Sequence, residues 1–126
     1  MSRKPVWVDV DALGPYSPAV IGEGRFVHVS GQGAIRDGAY VAGSPGEEIR
    51  LAIENLFTIL AAAGAGPADV IRCGVYLTDM ADFDEMNAIY MDLFPEPRPA
   101  RTTIGVAALP GGIRLEIDCV AVLPAS

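Results

Sequence analysis

Two segments of this chain carry helical periodicity, and that small number constrains the fold more than any other feature. The first opens at Ser44-Pro45-Gly46-Glu47, a capping box with proline at the first helical position. It continues through Ile49, Ile53, Leu56, Leu60 and Ala63 at steps of three and four and ends at Gly64. The second is capped by Asp82, has Glu85 three residues on, places Phe83, Met86, Tyr90 and Leu93 at helical spacing, and stops at Pro95. The remaining patterned segments read as strands. Residues 25–30 alternate Phe26, His28 and Ser30 against Val27 and Val29, residues 69–77 form a mostly apolar run of strand length, and residues 102–106 and 113–123 follow. Asp37-Gly38 within residues 34–41 predicts a tight hairpin ribbon. Two helices cover one face of one sheet, so the class is α+β and the second sheet face is left without a cover of its own.

That second face is written into residues 113–119, where Ile113, Leu115, Ile117 and Cys119 alternate with Arg114, Glu116 and Asp118. The odd positions pack on helices and the even ones point the other way, so candidates for chemistry are expected on the second face or its rim. With 126 residues the chain reads as a single domain over residues 1–126, with no repeat or linker dividing it. A hydrophobic content of 51% is high for a domain this small, and burial against copies of itself would resolve the excess.

Charge and motif content exclude several function classes. A net charge of -7 leaves no basic surface to displace counterions from a phosphate backbone, so nucleic acid is not expected as a partner. The longest uncharged central stretch, residues 55–68, contains Asn55, Thr58, Gly64, Gly66 and Pro67 and is too short for a bilayer span, so no membrane segment is expected. Asp9 and Asp11 interrupt the apolar run that a signal peptide would need, which makes the cytoplasm the expected location. Cys73 and Cys119 are isolated and His28 is the single histidine, so neither a disulfide framework nor a metal-ligand spacing is present. Nucleophile elbow, P-loop and dinucleotide fingerprint are all missing, and no cofactor is expected.

What remains is a series of short polar islands in apolar context. In order they are Gly14-Pro15-Tyr16-Ser17-Pro18-Ala19-Val20, Val29-Ser30-Gly31-Gln32, Asn55-Leu56, Val75-Tyr76-Leu77-Thr78-Asp79-Met80, Met86-Asn87-Ala88-Ile89-Tyr90, Pro99-Ala100-Arg101-Thr102-Thr103, Leu109-Pro110 and Leu115-Glu116-Ile117. Taken together, at these intervals, they resemble the Rid (reactive intermediate deaminase, YjgF-type) family from about Gly14 to Val122. The resemblance implies a chorismate-mutase-like single domain, one mixed β-sheet with two helices packed on one face, assembled as a homotrimer with sites between subunits. It also implies cofactor-free hydrolysis of 2-imino acids, tautomers of 2-enamino acids such as 2-aminoacrylate, to 2-oxo acids and ammonia.

By the same resemblance Arg101 binds the carboxylate of a small-molecule substrate, a task suited to the guanidinium's rigid donor fork, and Glu116 positions water or transfers a proton. Tyr16, Ser30 and Asn87 match positions around the ligand, and Thr103 stands where relatives carry Cys, Ser or Thr, which removes a cysteine nucleophile from the mechanism. On the residues alone, Arg101 and Glu116 also read as solvated surface charges, and His28 and Asp118 as strand residues. Pro18, Gly105 and the segment Gly33-Ala34-Ile35-Arg36-Asp37 depart from the family pattern at the rim, where substrate choice is set. Two other functions fit the same residues: a deaminase for a larger enamine of the aminomuconate type, and a non-catalytic trimer that binds small ligands. Ribonuclease activity, ascribed to some relatives, fits poorly with the charge of -7 and a lone histidine.

Overall fold

The computed structural model describes residues 2–125. A short antiparallel pair, β1 (Arg3–Val6) and β2 (Ala19–Gly22), leads into β3 (Phe26–Gln32) and a two-stranded ribbon of β4 (Ile35–Arg36) and β5 (Ala39–Tyr40). Next come α1 (Pro45–Ala62), β6 (Val70–Leu77), α2 (Phe83–Leu93), β7 (Ala100–Gly105) and β8 (Leu115–Val122). The main sheet has the order β3-β8-β6-β7 and is mixed: β8 runs antiparallel to β3 and β6, while β6 and β7 are parallel. A parallel pair cannot be joined by a tight turn, and α2 supplies the crossover between β6 and β7.

Local sequence explains most of these boundaries. Ser44 Oγ accepts from the Glu47 amide at 3.2 Å and the Glu47 carboxylate accepts from the Ser44 amide at 2.9 Å, so the expected capping box closes in both directions. Beyond α1 the chain turns at Gly64, whose φ of +88° is open to glycine at little cost. Asp37 and Gly38, at φ 52° and 76°, form the primed turn that the ribbon needs. In the helix-facing layer, Leu115, Ile117, Cys119 and Ala121 of β8 and Cys73, Val75 and Leu77 of β6 meet Ile49, Ile53, Leu56 and Leu60 of α1 and Met86 and Tyr90 of α2. Phe94 stacks on Tyr90 at 4.4 Å and meets Phe57 edge-on at 5.1 Å. Each fully buried Leu or Ile in this layer contributes about 1.5–3 kcal/mol relative to exposure.

Two expectations need correction, and one strand pair has no forerunner in the sequence. The pair β1 and β2 carries no period that marks it as strand: β1 reads Arg-Lys-Pro-Val, with two charges and a proline, and forms because it pairs with β2. β7 starts at Ala100, two residues before the expected boundary, because it zips in parallel register onto β6 from Arg72↔Ala100 onward. Asp82 precedes α2 but makes no side-chain capping bond; its buried carboxylate accepts from Arg114 Nε at 2.7 Å instead. An ion pair to the residue just before β8 outcompetes the local cap, since a charged fork satisfies both carboxylate oxygens.

Candidate active site

Arg101 is inside the protein, on the helix-facing side of the sheet. Its register partner on β6 is Cys73, whose own partner on β8 is Cys119, and all three are buried. Of the candidates expected on the second face or its rim, Arg101 is therefore not on that face. The guanidinium lies among three aromatic rings, 4.8 Å from the Tyr90 centroid, 5.2 Å from Tyr16 and 5.9 Å from Phe83. Their faces carry negative quadrupole, which partly compensates a cation taken out of water. Nη2 donates to Asn87 Oδ1 at 2.7 Å and Nη1 approaches Met86 Sδ at 3.8 Å, while Nε is buried without a partner. Burial lowers the Arg101 pKa, with the nearby Tyr90, Tyr16 and Cys73 groups opposing it. Among the described residues Arg101 enters no ion pair, whereas Arg98 and Arg114 both do. A buried cation with neutral neighbours and an unused donor is organised to receive an anion.

Tyr16 reaches this cluster because residues 14–17 are tied to the chain entering β7. The Ser17 amide donates to the Pro99 carbonyl at 3.1 Å and the buried Ser17 hydroxyl donates to the Arg98 carbonyl. Gly14 brings its backbone against the guanidinium: a Cβ there would fall 2.6 Å from Arg101 Nη2 and 3.3 Å from Asn87 Oδ1. Thr103, two residues along β7 on the Arg101 face, lines an open cavity of about 480 Å³ with Leu13, Met80, Ala81, Phe83 and Asp84. Its Oγ1 is buried without a partner. At Gly105, where the rim departs from the family pattern, the Met80 side chain closes to 3.1 Å of a built Cβ.

Glu116 belongs to the other side of the sheet. It pairs in register with Tyr76, and its neighbour Asp118 pairs with Gly74, so these residues share the face turned away from the helices. The Glu116 carboxylate lies on the backbone of Gly31, where a built Cβ would fall 2.1 Å from its Oε1. Ser30 is exposed beside that glycine, at the bulge that shifts the β3–β8 register between Val29 and Gln32. Thus the chain brings Tyr16, Asn87 and Arg101 together with Thr103 close by, and groups Ser30 with Glu116 separately on the opposite face. His28 lies on β3 in register with Val120, exposed and away from Arg101.

Several contributing residues were not singled out from the sequence: Phe83 and Tyr90, which read as helix core, and Ser17, Gly14 and Gly31, which stand only as members of polar islands. The glycines left a signal, since each stands inside a polar island where a missing side chain marks close backbone approach. Cys73 lies next to this cluster, but burial pushes its thiol up to about 12, so it is not a nucleophile near neutral pH.

Residues 8–123 match the sequence profile of the family described as Endoribonuclease L-PSP. The chain is 42% identical over 113 residues to human 2-iminobutanoate/2-iminopropanoate deaminase, a match covering 88% of this chain and 82% of that protein. It is 40% identical over 111 residues to the mitochondrial protein mmf2 of Schizosaccharomyces pombe, covering 86% of this chain and 87% of the relative. The crystal structure of a Rid-family protein of unknown function from Yersinia pestis superposes with a TM-score of 0.88 at 29% identity, over 98% of this chain and all of that one.

Proposed function

The chain belongs to the L-PSP family, which includes the Rid proteins, and from that premise we propose that it hydrolyses 2-imino acids to 2-oxo acids and ammonia without a cofactor. The observation that carries the reading is Arg101: a buried guanidinium held by aromatic rings and a neutral amide, with Nε buried and unpartnered and no acidic partner among the described residues. A small carboxylate supplies the missing charge through two parallel N–H···O bonds, and this fixes the adjacent C=N carbon. The human relative's name, an iminobutanoate and iminopropanoate deaminase, supports the same substrate class.

Water adds to the C=N carbon, giving a carbinolamine; the C–N bond then breaks, the carbon keeps the oxygen and ammonia leaves. Glu116 takes a proton from the attacking water and passes it to the imine nitrogen, and as the C–N bond breaks it carries the carbinolamine hydroxyl proton to the departing nitrogen, leaving a neutral C=O and ammonia. Asn87 holds Arg101 in place through its 2.7 Å bond, Tyr16 covers the guanidinium, and Thr103 and Ser30 offer hydroxyls at the edges of the two half-sites. Because Arg101 and Glu116 are on opposite faces of one sheet, the reading requires a site shared between copies, and in the homotrimer that the family resemblance implies Glu116 and Ser30 of one copy meet Arg101 of another. The chain's charge of -7 opposes an RNA backbone and does not favour ribonuclease activity.

Ammonia release from imines generated in situ by an amino-acid oxidase tests the proposal. Wild-type protein is expected to accelerate it, and Arg101→Ala to lose at least tenfold while remaining folded, since truncating one partner of a desolvated charge pair costs about 2–5 kcal/mol. An Arg101→Ala variant that keeps more than about a tenth of the activity overturns the assignment of the carboxylate site.

A further inference from the structure

Two carboxylates lie two residues apart on the open face of β8, and two glycines make room for them. Glu116 rests on Gly31, where a built Cβ would be 2.1 Å from Oε1 and 2.5 Å from Cδ. Asp118 rests on Gly74, where a built Cβ would be 2.6 Å from Oδ1 and equally close to the Tyr76 hydroxyl. The Gly74 amide donates to Asp118 Oδ1 at 3.0 Å and the Tyr76 hydroxyl donates to Oδ2 at 2.8 Å. Tyr76 is also the register partner of Glu116 on β6. Glu116 therefore has the bare backbone of Gly31 on its β3 side and a tethered tyrosine on its β6 side.

Building on the reading of Glu116 as the proton-handling group, we propose that Tyr76 and Asp118 form a positioning pair that confines Glu116 to the space over Gly31 and holds the Asp118 charge off it. Alternate residues on a strand are about 7 Å apart, close enough for the field of one carboxylate to reach the next. The two donors on Asp118 concentrate its charge on the Gly74–Tyr76 side. The hydrogen bond to Asp118 and partial burial raise the Tyr76 pKa, so the phenol stays a donor at neutral pH. Other charged or titratable groups on this face are Arg72 on β6 and His28 on β3, while Arg114, just before β8, is turned to Asp82 at the start of α2. In the proposed assembly Arg101 of a neighbouring copy joins them.

The test compares pH profiles of kcat/KM for wild type, Tyr76→Phe and Asp118→Asn with the same imine assay. Removing the hydroxyl frees the Asp118 charge, so Tyr76→Phe is expected to move the acidic limb to higher pH. Removing the charge moves it to lower pH in Asp118→Asn. The shift in Asp118→Asn is expected at about 0.5–1 pH unit for one charge at this spacing, and the opposite shift in Tyr76→Phe is smaller because no charge is added. KM stays within about twofold in both variants, because Arg101 and not this pair holds the carboxylate, while kcat of Tyr76→Phe falls roughly 3–10-fold from lost positioning. Limbs that do not move, or that move together, overturn the pair. Glu116→Gln separates this from the underlying reading: if it loses turnover while the limbs of the other variants stay put, only the pair fails, whereas full turnover in Glu116→Gln removes the role of Glu116 and the pair with it.

Discussion

Arg101 illustrates how a residue's role follows from what its neighbours lack. Of the side chains nearest the guanidinium, Asn87 offers a carbonyl oxygen at 2.7 Å where an aspartate would offer a charge. Asn87→Asp is therefore expected to give Arg101 an internal counter-ion that competes with substrate, raising KM at least tenfold with little loss of stability, as read by steady-state kinetics alongside thermal melts. Arg101→Lys keeps the charge but cannot form the two-bond fork, so the same assays should find turnover badly impaired. Cys73 gives a prediction of another kind. Its thiol is pushed by burial from 9.0 up to about 12, so the folded protein prefers the protonated form more than the unfolded chain does. The stability tied to it is complete below pH 9 and is lost as pH rises from about 9 to 12. Denaturant titrations should show a falling midpoint over that range, and the decline should be smaller in Cys73→Ala when each variant is referred to its own value at pH 8.

At the scale of elements, the contacts that matter most tie helix ends to distant strands. Gly46, in the first turn of α1, donates its amide to Glu85 of α2 at 2.5 Å, and Arg114, just before β8, grips Asp82 at the start of α2 while Nη1 reaches the Gly43 carbonyl. Together these hold the N-terminal ends of both helices at one end of the sheet and fix where α2 delivers Phe83, Asn87 and Tyr90 to Arg101. Arg114 is partly exposed but Asp82 is buried, so removing the arginine strands a carboxylate with little access to water. Arg114→Met is expected to destabilise the fold by about 2 kcal/mol, measured by denaturant unfolding, with Asp82→Asn partly restoring it in the double variant.

For the whole molecule, the distribution of apolar surface points outward. Trp7, Val10 and Leu13 in the segment before Tyr16 and Ile104 on β7 are exposed, and neither helix covers the face of β8 that carries Glu116. Light scattering is expected to give about three times the chain mass of 13.2 kDa. Complementation probes the split site more directly. Arg101→Ala and Glu116→Gln should each be nearly inactive alone, yet co-expressed chains that assemble at random should regain about a quarter of wild-type activity, since that share of interfaces pairs an intact Arg101 with an intact Glu116. Mixed assemblies as inactive as their parents would mean that both groups serve one site within a chain.

The sequence by itself determined the elements with strong local rules: the capping box of α1, the primed turn at Asp37-Gly38, and the alternation of β8 that separates Leu115 and Ile117 from Glu116 and Asp118. Backbone sterics and period-two or period-3.6 burial act over a few residues, so they are legible without a fold. It also supplied the residue types of the candidate site, because the polar islands stand out against an apolar chain. Only the tertiary structure decided how those islands are distributed: Arg101 turned inward to α2, Glu116 turned outward over Gly31, Asp82 drawn from its cap to Arg114, and β1 formed where no pattern announced it. Each outcome depends on partners far away in the chain, whose pairing energies exceed local preferences and leave no periodic mark on the residues they bring together.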